Sequence, residues 1–184
     1  MLLENLFIDV IQSRKTAAKP RKSSLIQQWL GFQIPQSTSI RIGYYIEDLF
    51  VKLLGENSIL NELTKKGKTY NIIVDGNTHQ VDLLARINGQ IFHREIKCNI
   101  DLDNGKSRDV LFREECIVKG LFDKYNSVIN SAVFCPFLES SQHISRLGNV
   151  EGLNDFINTF QLDISIEDFK SLGRSELVHA ILLS

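Results

Sequence analysis

The stretch from Val81 to Lys97 constrains this chain more than any other. It reads as two strands joined at Asn88-Gly89, the strongest short signal for a two-residue type I′ hairpin, because both central residues must take positive φ. The turn sets the register. Ile87 faces Gln90, Ala85 faces Phe92, and Asp82 falls opposite Glu95. Directly opposed residues share a face of the sheet, with Cβ atoms roughly 4.5–5.5 Å apart. The same register sets Gln80 against Lys97, and the two-residue period of a strand puts Glu95 and Lys97 on one face. The turn therefore predicts two carboxylates and one ammonium in a single patch.

Like charges directly opposite destabilise a sheet. A hard divalent cation with oxygen ligands removes the conflict, and Mg²⁺ is commonly held by one or two carboxylates with phosphate and water. Lys97 beside such an ion can position or deprotonate a water and offset a developing anion. Those parts suit metal-assisted phosphodiester hydrolysis.

The arrangement resembles the PD-(D/E)xK nuclease superfamily, which contains most type II restriction endonucleases. Asp82 matches the first acid of the motif, and Glu95-Ile96-Lys97 matches its second half. Val81 stands where the motif name has proline. A Glu-x-Lys triplet alone is common. The specific part is its combination with an aspartate one hairpin strand earlier, across an Asn-Gly turn. The resemblance implies that Asp82 and Glu95 bind Mg²⁺ with help from the Ile96 carbonyl, and that Lys97 activates the attacking water. In that superfamily the helix before the hairpin often supplies a further acid within Gly-x-x-x-Glu. Gly43-Tyr44-Tyr45-Ile46-Glu47 fits, with Asp48 as the competitor. The resemblance also implies 5′-phosphate products and a homodimer acting on double-stranded DNA, one site per strand, which suits palindromic targets.

Around the hairpin, the chain reads as one domain of 184 residues. Its parts are an N-terminal helical and basic segment (1–38), a catalytic core (39–136) and a C-terminal helical segment (137–184). Helices are expected over Leu2–Ser13, from Ser23 or Ser24 to Leu30, over Ile40–Leu54 and from a Ser107 cap to Tyr125. The last of these is expected to bury Val110, Leu111, Ile117, Val118, Leu121 and Phe122. Tyr70–Val74, Thr78–Ile87 and Gln90–Lys97 make a three-stranded meander, with Asp75-Gly76-Asn77 as the first turn. Ser131–Cys135 adds a crossover strand beside the last of them. Asp101–Lys106 reads as a loop, and Val150–Phe160 and Ile166–Leu183 as short helices. The fold class is thus α/β: a central mixed sheet, the antiparallel meander plus the crossover strand, with helices on both faces and a restriction-endonuclease-like core.

Composition adds bounds. A net charge of −1 does not advertise nucleic-acid binding. Basic clusters do exist, at Arg14, Lys15, Lys19, Arg21 and Lys22 and at Lys65, Lys66 and Lys68, and either could meet phosphates. Helix N-termini also attract phosphate, so Lys106, Ser107, Arg108 and Arg113 are the candidate DNA contacts. No apolar run reaches membrane-spanning length, so no membrane partner is expected. The N-terminus lacks a basic n-region and cleavage site. Three cysteines without metal spacing suit reduced thiols in a cytoplasmic protein. The alternatives are a junction resolvase or repair nuclease on the same core, or a DNA-binding module in which the acids are structural.

Overall fold

The structure, a computed structural model, describes residues 36–60, 70–100 and 102–171. The expected helices before residue 31, both basic clusters, Asp101 and the chain after residue 171 lie outside the described residues.

Helix α1 (Gln36–Leu53) starts four residues before the expected Ile40. Its buried stripe is Ile42, Ile46, Leu49 and Phe50. Strands β1 (Tyr70–Val74) and β2 (Asn77–Val81) form an antiparallel ribbon. Asp75 and Gly76 turn it, with φ of 48° and 80°. Strands β3 (Leu83–Ile87) and β4 (Gln90–Ile96) form the second hairpin. There Asn88 and Gly89 carry φ of 50° and 81°. Its register sets Ile87 against Gln90 and Ala85 against Phe92, as the turn requires.

The chain then crosses through α2 (Asn104–Tyr125) to β5 (Ile129–Phe134), which lies parallel to β4. A short hairpin, β6 (Gln142–Ile144) and β7 (Gly148–Glu151), follows and docks β7 parallel to β5. Helix α3 (Leu153–Phe160) comes next. The result is a mixed five-stranded sheet in the order β3-β4-β5-β7-β6, with β1–β2 as a separate ribbon.

Three expectations change. The continuous Thr78–Ile87 strand is broken at Asp82, where the chain bends. Residues up to Val81 pair with β1, and residues from Leu83 pair with β4. The meander is therefore two ladders rather than one, and Gln80 faces Asn71 instead of Lys97. Second, the helix expected from Val150 begins only at Leu153, because 148–151 is strand β7. Third, α2 begins at Asn104 inside the expected loop. Asp103 is its cap, accepting the Lys106 amide at 2.9 Å. Along α2, Ile117 and Leu121 are buried as expected, while Phe122 is exposed.

Helices cover both faces of the sheet. On one, α1 and α3 bury Leu83, Ala85, Phe92, Ile96 and Phe134. An aromatic cluster fills that layer: Phe134 stacks on Phe156 at 4.1 Å, and Phe50 meets both edge-on. On the other, Ile117 and Leu121 of α2 pack on Leu84, Ile91 and Ile129 and on the ribbon's Ile72 and Val74. Gly120 allows this approach, since a Cβ there would meet Val74 at 2.6 Å.

The α3 face also holds a buried ion pair. Arg94 of β4 gives Nε and Nη2 to the two oxygens of Glu151 on β7, at 2.6 and 3.0 Å. Its Nη1 donates to the carbonyls of His93 and Asn130, and the guanidinium lies 5.3 Å from the Phe160 ring centroid. Breaking such a pair from one side leaves an uncompensated buried charge. Glu151→Ala should therefore lower unfolding free energy by roughly 3–5 kcal/mol in urea titrations, with Glu151→Gln losing less.

Candidate active site

The bend at Asp82 is where sequence becomes site. The Lys97 amide donates to Phe134 of β5 at 2.9 Å, so the neighbouring Ile96 amide faces the opposite edge of β4. There it meets a side chain: Ile96 N–H donates to Asp82 Oδ2 at 3.1 Å. The carboxylate replaces a backbone rung at the point where the strand changes partner.

Glu95 projects from β4 to the α2 face and is fully buried. Lys97 Nζ stands 2.6 Å from Glu95 Oε1, 3.6 Å from Asp82 Oδ2 and 3.1 Å from the Ile96 carbonyl oxygen, to which it donates. Arg113, from the third turn of α2, reaches the same place. Its guanidinium contacts Glu95 Oε1 and lies 3.8 Å from Asp82 Oδ2. Two carboxylates and two cations thus converge at formal neutrality. The charge contacts fall on Oε1: Glu95 Oε2 and Arg113 Nε have no hydrogen-bond partner.

Glu47 of α1 belongs to the same field. Burial pushes its carboxyl up from 4.5 to about 7, and the Asp82 carboxylate adds to the rise, while Lys97 and Arg113 oppose it. His93, two residues before Glu95, is buried and held down to about 3. Desolvation is the main cause, followed by Arg94, Arg113 and Lys97. It is neutral at physiological pH. Its Nδ1 pairs with Ser131 Oγ at 2.9 Å, and that hydroxyl donates to Glu114 at 2.7 Å. The Cys98 thiol is pushed up by burial, and Cys135 is raised to about 11, also by burial. All three described cysteines are free, and these two are poor nucleophiles.

The structure brings together Asp82, Glu95, Ile96 and Lys97, with Glu47 close enough to feel the charges of Asp82 and Lys97. The candidate DNA contacts divide differently. Lys106 and Arg108 are exposed at the start of α2, with Lys106 Nζ 3.6 Å from Asp103. Ser107 is buried, and its hydroxyl donates to the Asp103 carbonyl at 2.9 Å. Because the helix starts at Asn104, Ser107 is a first-turn packing residue rather than a surface cap. Arg113 lies on the carboxylates instead of on open surface. Its helical spacing held the signal: it falls three residues after Val110 and four before Ile117, on the stripe facing the sheet.

Among the described residues, no three His, Cys, Asp or Glu side chains gather as a metal-binding group. An ion here would rely on two carboxylates and the Ile96 carbonyl, completed by water and phosphate. That donor set fits Mg²⁺, and one cationic atom, Lys97 Nζ, already lies within 3.6 Å of all three oxygens. No known family model, curated protein or solved structure matches the chain. No helix among the described residues is long and apolar enough to cross a membrane.

Glu47 gives the site a pH signature. Its folded pKa lies above the unfolded value, so the folded state binds the extra proton. Its contribution to stability is complete below about 4.5 and lost as pH rises to about 7. His93 has the opposite sign, losing stability as pH falls from 6.5 toward 3. Comparing wild type with Glu47→Gln in EDTA isolates the first effect. The variant should match wild type near pH 4 and be the more stable above pH 7, as read by thermal melts.

Proposed function

We propose that this chain is a Mg²⁺-dependent endonuclease of double-stranded DNA with a PD-(D/E)xK core, working as a type II restriction enzyme. The observation that carries the reading is the convergence of Asp82, Glu95 and Lys97 across one hairpin, with the Lys97 ammonium within 3.6 Å of both carboxylates. The order helix, hairpin strands, crossover helix and parallel strand supports it. Asp82, Glu95 and the Ile96 carbonyl would hold the ion. Bound there, Mg²⁺ would supply Lewis-acid stabilisation of phosphoryl charge and a more acidic water.

The chain's own residues do the rest. Lys97 positions the attacking water and offsets the negative charge that builds on the phosphate. Glu47 supports the lysine from the α1 side. The burial of Glu95 keeps bulk water from screening these contacts. Water adds to phosphorus, the bond to the 3′ oxygen breaks, and the products are a 5′-phosphate and a 3′-hydroxyl. Two copies related by a two-fold axis would cut both strands of a palindrome.

A second reading has its own observation. The two carboxylates are already matched by Lys97 and Arg113, as a purely structural ion-pair network in a DNA-binding module would have them. Plasmid digestion separates the two. Wild type with Mg²⁺ should give discrete bands. Lys97→Ala should cut at least roughly a hundredfold more slowly while still shifting DNA in gels. Asp82→Ala should lose both cleavage and the Mg²⁺-linked rise in melting temperature. Cutting that survives full chelation by EDTA, or at the wild-type rate in Lys97→Ala, contradicts the nuclease reading. Cleavage of branched DNA only would mark a resolvase.

A further inference from the structure

Arg113 is the cation at this site that the hairpin does not supply. It comes from α2, on a long side chain that is 36% exposed, against 22% for Lys97 and none for Glu95. Its guanidinium contacts Glu95 Oε1 and approaches Asp82 Oδ2, so it lies on the oxygens that a divalent ion would need. The seat is imperfect. Arg113 Nε and Glu95 Oε2 are buried without a hydrogen bond. A buried donor and a buried carboxylate left in that state are each costly.

The formal charges of the four contacting groups already balance. Asp82 and Glu95 carry two negative charges, and Lys97 and Arg113 carry two positive ones. Adding a divalent ion with all four in place would leave a buried excess of two positive charges, which a low-dielectric site opposes. One cation must leave, or negative charge must be added, with Glu47 the remaining carboxyl of the site. Lys97 is tied by its short chain connection to Glu95 and by its hydrogen bond to the Ile96 carbonyl. Arg113 is the more exposed and belongs to a different element. A planar guanidinium is also suited to a two-pronged grip on phosphate oxygens.

We propose that Arg113 is a positioning residue that exchanges partners. Without divalent ion it neutralises Asp82 and Glu95; when the ion binds, it turns outward to hold the phosphate of the DNA strand. The site then accepts ion and phosphate together, since each relieves the charge imbalance caused by the other. This inference rests on the nuclease reading, because the phosphate is that of the DNA to be cut.

The test measures Mg²⁺ affinity of DNA-free protein by calorimetry, and cleavage of plasmid DNA, for wild type, Arg113→Met and Arg113→Gln. Two neutral variants guard against one failing to fold, with melting curves in EDTA as the check. The expected result is a split. Removing the competing charge-assisted contact should tighten Mg²⁺ binding by roughly tenfold to a hundredfold, while cleavage slows by at least roughly tenfold. An arginine that merely packs would, when lost, weaken both. If wild type cuts DNA but the folded variants bind Mg²⁺ no tighter, the exchange is wrong and the nuclease reading stands. Tighter binding with wild-type cutting removes Arg113 from the phosphate and also overturns the proposal. If wild type neither binds Mg²⁺ nor cuts, and the variants do no better, the nuclease reading falls and the exchange with it.

Discussion

A carboxylate buried in a sheet must find positive charge within a few ångströms or give up its ionisation. Glu95 is in that position, with no exposed surface, on a strand paired on both edges. Much of the local architecture can be read as its answer. Lys97 turns back from the end of β4 to meet it, and α2 lies over the sheet so that Arg113 can reach the same oxygen. Burial keeps His93 neutral against Ser131, with Arg94 and then these two cations adding to the effect. The Asp82 carboxylate, kept within reach of both cations, also helps push Glu47 toward neutrality.

Strand β4 carries charge to both faces. Consecutive residues His93, Arg94 and Glu95 are all buried, where a central strand covered on both sides would ordinarily be apolar. Alternation sends Arg94 to the α3 face, where Glu151 and Asn130 accept its hydrogen bonds, and Glu95 to the α2 face. The two clusters differ in completeness. Arg94 makes two-pronged contact with its partner and uses its remaining nitrogen on backbone carbonyls. In the Glu95 cluster both cations meet Oε1, which leaves Oε2 and Arg113 Nε without hydrogen bonds.

The β3–β4 hairpin is legible in the sequence because its turn chemistry is local. Asn88-Gly89 demands positive φ, and the pairing of the flanking residues comes from that alone. The Asp75-Gly76 turn is legible for the same reason. The features beyond reach are long-range or depend on a side chain taking a backbone role. Nothing in the residues around Asp82 announces that its carboxylate will accept the Ile96 amide, so the pattern there suits one continuous strand. Glu151 lies 57 residues from Arg94, and their pairing is a product of β7 docking beside β5. That strand itself hides inside an apolar run that also suits a helix, since Val150, Leu153, Phe156 and Ile157 keep helical spacing. Arg113 is visible as a basic residue near a helix start, but its direction is set by the stripe it shares with Ile117.

In the proposed nuclease, Asp82, Glu95 and the Ile96 carbonyl would surround one divalent-ion position that Lys97 serves. The most direct measurement is the anomalous scattering of Mn²⁺ in crystals of the protein grown with that ion. A peak is expected within coordinating distance of an oxygen from each of Asp82 and Glu95, with Lys97 alongside. Ordered crystals with no peak there, and both carboxylates still closed on Lys97 and Arg113, would contradict it.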